Sequence, residues 1–130
     1  MSIFVDTSAL LALLDRDDDM HEGAAAAMRA LRGESLVTHN YILVEAAAIT
    51  HRRLGGGAAR DLLEDLAPAL TVLWVDEQTH QAAVSAFLAA VRRRPSLVDW
   101  VSFEVMRRSE IETAFAFDRD FVAQGFRTVP

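Results

Sequence analysis

The sequence predicts an α/β fold, a three-layer sandwich built on a mostly parallel five-stranded sheet. Three observations lead there. Short apolar runs alternate along the chain with longer helix-forming stretches, which is the order of a parallel sheet crossed by helices. The first run, Ile3-Phe4-Val5, is apolar throughout and stops at Asp6, as a buried strand does. No linker, repeat or low-complexity segment divides the chain, so residues 1–130 are read as one domain.

The elements follow in order. After the first strand, Ser8 is a cap candidate for a short helix over Ala9–Leu14. Asp15–Asp19 reads as a charged, solvated turn. Met20–Leu31 is rich in alanine, the best helix former, and ends near Gly33. Ser35–Thr38 is a short strand. Asn40 is a good N-cap for a helix over Tyr41–Leu54, stopped by Gly55-Gly56-Gly57. Ala58–Ala67 reads as a further helix, broken at Pro68. Thr71–Val75 is rich in β-formers. Glu77–Arg92 is helical up to Pro95. Ser96 caps a helix over Leu97–Arg108, Thr113–Phe117 is an apolar strand stopping at Asp118, and Arg127–Val129 is a last short strand.

Composition narrows the function. The 13 basic residues are all arginine, against 19 acids, for a net charge of -6. Without lysine there is no Walker-type phosphate loop, no Schiff-base chemistry and no receiver-type phosphoacceptor site. Without cysteine there is no disulfide framework, thiolate zinc site or thiol nucleophile. No Gly-x-Ser-x-Gly elbow surrounds a serine. His21, His39, His51 and His80 lack the spacing of a zinc helix. No apolar run reaches the ~18 residues that span a bilayer. The N-terminus lacks a signal-peptide pattern, so no membrane partner and a cytoplasmic location are expected.

Four acids stand in unusual places. Asp6 and Asp118 each end an apolar run, and carboxyl ends of parallel strands are where α/β sheets bind ligands. The plainer reading is that aspartate often starts a turn after a strand. Glu45 interrupts the apolar helix face formed by Tyr41, Ile42, Ala48 and Ile49. A carboxylate there needs a partner or a metal. Arg52 and Arg53, two turns on, are too far along the helix to serve. Asp99 has capping-box spacing from Ser96 and suits a helix N-terminus in any case.

Taken together, Asp6-Thr7-Ser8-Ala9-Leu10, Asn40-Tyr41-Ile42-Leu43-Val44-Glu45, Ser96-Leu97-Val98-Asp99-Trp100-Val101-Ser102 and Phe117-Asp118-Arg119-Asp120-Phe121 resemble the successive motifs of a PIN-domain ribonuclease. The similarity covers nearly the whole chain and is strongest to the VapC-type toxins of bacterial toxin–antitoxin pairs. It implies strand order 3-2-1-4-5, which brings Asp6 and Asp118 to one crevice. It also implies a metal-dependent endoribonuclease holding Mg²⁺ or Mn²⁺ on Asp6, Glu45, Asp99 and Asp118.

The chemistry is coherent. Phosphodiester hydrolysis needs an activated water and a stabilised leaving oxygen, which divalent ions supply. Such ions prefer hard oxygen ligands. Clustered carboxylates without a cation repel one another and some should have raised pKa values. Ionised, the four would supply -4 of the net -6. Ser8 and Ser102 are hydroxyl candidates for orienting a carboxylate or a phosphate. Asp120, two residues past Asp118, is held in reserve. Trp100 departs from the family pattern, which more often has a small residue there; its indole faces either the core or a substrate base. Arg92-Arg93-Arg94 either steers RNA or answers the dipole of a helix C-terminus, and Arg107 and Arg108 share that ambiguity.

The resemblance adds an antitoxin whose tail covers the crevice. The Ala-rich helices with Leu10, Leu13 and Leu14 suggest an apolar face and a homodimer. The alternatives are a PIN-like nuclease outside a toxin pair, acting on other RNA or on DNA, and a non-catalytic binding module on the same fold.

Overall fold

A computed structural model describes every residue, Met1–Pro130. Five strands form one sheet: β1 (Ser2–Val5), β2 (Ser35–His39), β3 (Thr71–Leu73), β4 (Thr113–Phe115) and β5 (Arg127–Val129). Their order is β3-β2-β1-β4-β5, and every neighbouring pair is parallel. This is the order the motifs implied. Parallel neighbours need crossovers, and helices make them: α1 (Thr7–Leu14), α2 (His21–Ala30), α3 (Asn40–Leu54), α4 (Gly56–Asp61), α5 (Glu77–Ala89), α6 (Leu97–Arg108) and α7 (Asp120–Ala123). Right-handed crossovers in this order put α1–α4 on one face and α5–α7 on the other. The aromatic contacts agree: Phe4 of β1 meets Phe121 of α7 at 6.1 Å, and Phe121 meets Phe103 of α6 at 5.1 Å. Phe4, Phe103, Phe115 and Phe121 are fully buried, and each contributes about 2–3 kcal/mol of apolar burial. No helix is long and apolar enough to cross a membrane.

Several element ends differ from expectation, each for a local reason. Helix α1 starts at Thr7, and its cap is Asp6, not Ser8. Helix α3 starts at Asn40, capped by the His39 ring, while Asn40 Oδ1 accepts from the Val75 amide at 2.8 Å. Asn40 thus ties α3 to the end of β3 instead of capping. Gly55 alone ends α3, at φ 93°, a left-handed conformation glycine adopts freely. Gly56 and Gly57 already belong to α4, which continues as a π turn (Leu62–Leu66) and a 3₁₀ turn around Pro68. Helix α5 ends at Ala89, so Arg92–Arg94 lie beyond its dipole. Strand β3 stops at Leu73, two residues earlier than expected. Leu10 is buried in the core, and Leu13 and Leu14 pack against it. The face expected to drive dimerisation is partly taken up within the chain, where α2 and α3 lie against α1, and Leu13 and Leu14 stay half-buried.

The difference that matters most is at β4. It ends at Phe115, three residues before Asp118. The Ala116 amide still reaches Val129 of β5 at 3.1 Å, but the Phe117 amide turns to Ser8 Oγ at 3.0 Å. The chain then enters α7, which the sequence did not announce.

Candidate active site

The connection from β1 runs to β2 and the return from β3 runs to β4, so the switch point lies between β1 and β4. Asp6 stands directly past β1, its amide bonded to Phe115 O at 3.0 Å. Its carboxylate caps α1 by accepting from the Ser8 amide at 3.1 Å and from Ser8 Oγ at 2.7 Å. Both bonds fall on Oδ2. Ser8 Oγ also receives the Phe117 amide, so one hydroxyl fastens Asp6 to the chain leaving β4.

Glu45 has no arginine partner. Thr7 Oγ1 donates to its Oε1 at 2.6 Å, which aims α3 at the start of α1. Asp99 does make the capping box: Ser96 N and Ser96 Oγ donate to its Oδ2 at 2.8 and 3.1 Å, and its amide donates back to Ser96 Oγ at 3.2 Å. Asp118 Oδ1 accepts the Asp120 amide at 2.9 Å, which turns the chain into α7. That turn corrects the expectation for Asp120. Asp120 stands beside Asp118 and Asp99, with carboxylate oxygens of the three within 4.8 Å of one another.

The electrostatics join these acids into one unit. Burial pushes the Asp6 carboxyl up to about 7; the charges of Asp99 and Asp118 add to the rise, and the Ser8 bonds oppose it. Burial also raises Asp99, helped by Asp118 and Glu45. Burial and neighbouring Asp118 raise Asp120. Asp6 is therefore not fully ionised at neutral pH without a cation, which corrects the full charge of four acids.

Two other candidates sit elsewhere. Ser102 is fully buried. Its Oγ donates to Val98 O at 3.1 Å and lies 2.8 Å from His39 Nε2. Because His39 Nδ1 accepts the Ile42 amide at 3.3 Å, the ring proton is assigned to Nε2, which donates to Ser102. Burial holds this histidine down at about 3, so it stays neutral. Ser102 is thus spent on the core behind α3 and α6. Trp100 faces inward too, edge-on to Phe103 at 5.4 Å, with a buried Nε1 that has no acceptor. Arg107 lies over Phe126 and Arg108 pairs with Glu104. Asp17 and Asp19 are exposed, as a solvated turn requires. The groove of about 550 Å³ between α3 and α4, lined by Ala47, His51, Ala59 and Leu63, contains none of the acids.

Sequence reasoning undervalued Thr7 and Asp120. Thr7 carried a signal, since it adjoins Asp6. Asp120 did not, because its position depends on where β4 stops.

The PIN domain family matches residues 3–126 of this chain. A 23S rRNA-specific endonuclease, VapC20 of Mycobacterium tuberculosis, is 38% identical over 127 residues, covering 95% of both chains. The chain belongs to the PIN-domain family.

This PIN domain also resembles solved structures. The crystal structure of M. tuberculosis VapC20, described as a sarcin-ricin loop cleaving toxin, matches with TM-score 0.87 and 34% identity over 95% of each chain. FitAcB from Neisseria gonorrhoeae matches with TM-score 0.75 at 15% identity, covering 100% of this chain and 97% of that one. VapBC2 from Rickettsia felis, bound to promoter DNA, matches with TM-score 0.74 at 8% identity, covering 98% and 97%. These last two share the fold. The acids of this PIN domain offer only hard oxygen donors, and the carboxyl pKa values of Asp6, Asp99 and Asp120 are raised by burial first and by neighbouring acids second. Octahedral Mg²⁺ places opposite ligand oxygens about 4.2 Å apart, and oxygens within 4.8 Å of one another need close in by only a few tenths of an ångström to share it. The residues fit a divalent cation.

Proposed function

We propose that this PIN domain is a Mg²⁺- or Mn²⁺-dependent endoribonuclease and the toxin of a toxin–antitoxin pair. One observation carries the reading: Asp6, Glu45, Asp99, Asp118 and Asp120 gather where the strand order reverses, and carboxylate oxygens of the last three lie within 4.8 Å of one another. The substrate named for the 38% identical relative makes 23S rRNA the first RNA to test.

Asp99, Asp118 and Asp120 would hold the ion, with Asp6 and Glu45 beside them. Bound there, it would activate water and stabilise charge on the phosphodiester. The chain's own part is positioning. Ser8 holds Asp6, Thr7 holds Glu45 and Ser96 holds Asp99, each by one carboxylate oxygen. The second oxygen of each takes no part in those bonds and is the one offered to a cation. Exposed Val44, Trp74 and Leu88 provide apolar surface for a homodimer or for an antitoxin. Placement in the cytoplasm is part of the same proposal.

Purified protein should cleave 23S rRNA with Mg²⁺ or Mn²⁺, stop with a chelator, and lose at least about 100-fold in rate on Asp99→Asn. Cleavage that persists in chelator, or full activity in both Asp6→Asn and Asp99→Asn, would refute the reading. Cleavage of DNA alone would move the substrate to the alternative class.

A further inference from the structure

Arg94 is the cation that the structure pairs with the acidic cluster. It stands in the loop between α5 and α6. Its Nη2 lies 3.6 Å from Asp118 Oδ1 and 3.8 Å from Asp120 Oδ2. The two distances are nearly equal, and both exceed a good hydrogen bond. The contact is therefore held by charge, with the Arg94 side chain 63% exposed. Exposed pairs of this kind are weak and readily exchanged. The loop backbone is better held than the side chain: Pro95 is buried, and Ser96 is fixed by the capping box. Arg119 stands between the two acids in sequence and its charge favours ionised Asp120, yet it forms no ion pair. Arg92 and Arg93 are exposed and unpaired.

A divalent ion drawn to Asp118 and Asp120 would compete with this guanidinium for the same oxygens. The displaced side chain stays tethered beside the cluster. A guanidinium is suited to phosphate, since its planar fork can donate two bonds to two oxygens. We propose that Arg94 is an exchangeable counter-cation. It balances Asp118 and Asp120 until a divalent ion takes them, and the released guanidinium then binds a phosphate of the RNA as a positioning residue. This rests on the metal-dependent nuclease reading.

The test uses the full chain and Mn²⁺ alone, followed by the EPR signal of free Mn²⁺. Arg94→Ala should tighten Mn²⁺ binding about three- to tenfold, because a competing charge is gone. Arg94→Lys, which keeps the charge, should stay within about twofold of wild type. RNA affinity is then read by anisotropy of a labelled 23S rRNA fragment, with Ca²⁺ in place of Mn²⁺ to suppress cleavage. Arg94→Ala should weaken it and flatten the salt dependence by about one ion, with partial rescue by lysine. Unchanged Mn²⁺ affinity in Arg94→Ala, where wild type binds Mn²⁺, overturns the proposal. Tighter Mn²⁺ with unchanged RNA affinity and salt slope overturns the phosphate role. A wild type that binds no Mn²⁺ refutes the metal-dependent reading instead.

Discussion

At the scale of single residues, Asp6 and Asp99 each commit one carboxylate oxygen to structure and leave the other outside those bonds. Asp6 uses Oδ2 to cap α1, and Asp99 uses Oδ2 within its capping box. A structural use of one oxygen therefore does not exclude the proposed use of the other. The burial that positions Asp6 also sets its pH behaviour. Its folded pKa, about 7, lies above the unfolded value near 3.8. Stability from this group is fully present below pH ~4 and is lost as pH rises to ~7, by about 4 kcal/mol at most. Asp6→Asn should accordingly raise the stability of metal-free protein at pH 7.5 by about 2–4 kcal/mol. The gain should vanish near pH 4 in denaturant titrations; an equal gain at both pH values would contradict the buried-charge account. His39 has the opposite sign. Its folded value, about 3, lies below 6.5, so its contribution is present above pH ~6.5 and is lost as pH falls toward 3. Its ring resonances should show no titration between pH 8 and 5 by NMR. A midpoint near 6 would mean that the bonds to Ser102 and Ile42 do not hold in solution.

At the scale of elements, helix starts do most of the positioning. Asp6 precedes α1, Asp99 lies in the first turn of α6 and Asp120 opens α7. Ser96 is the clearest case for a test, because it both caps α6 and holds Asp99. Ser96→Ala should cost about 1 kcal/mol in stability. It should also weaken Mn²⁺ binding by about tenfold, the low end for an outer partner of a ligand, because the Ser96 amide still donates to Asp99. A stability loss with unchanged Mn²⁺ affinity would reduce Ser96 to a cap. The elements were largely legible. The sheet order followed from the motifs, and Ser96 and Gly55 act as a cap and a stop. The end of β4 and the start of α3 were not. Phe115-Ala116-Phe117 is uniformly apolar, and nothing local tells that Phe117 leaves the sheet for Ser8, 109 residues away in sequence. Asn40 looked like a cap, but His39 took that role because a buried ring reached the Ile42 amide.

At the scale of the whole molecule, the fold gathers like charges from four connections at one end of a parallel sheet. The resulting repulsion and desolvation are a standing cost to the metal-free chain, and a divalent ion would offset it. Mn²⁺ at about 100 times its dissociation constant should raise the melting temperature by about 5–10 °C. The rise should shrink sharply in Asp118→Asn and Asp120→Asn. An equal rise in those variants would place the ion elsewhere.

By itself the sequence determined the fold class, the strand order implied by its ordered motifs, and four of the five clustered acids. Those features are encoded locally, in apolar periodicity, caps and short acidic motifs. Only the tertiary structure decided that Asp120 joins the cluster, that Ser102 and Trp100 turn to the core, and that Arg94 meets Asp118 and Asp120. The physical reason is the same in each case. Where a side chain points depends on where a strand stops and what packs behind a helix. Contacts between residues far apart in the chain settle both, and no local pattern records them.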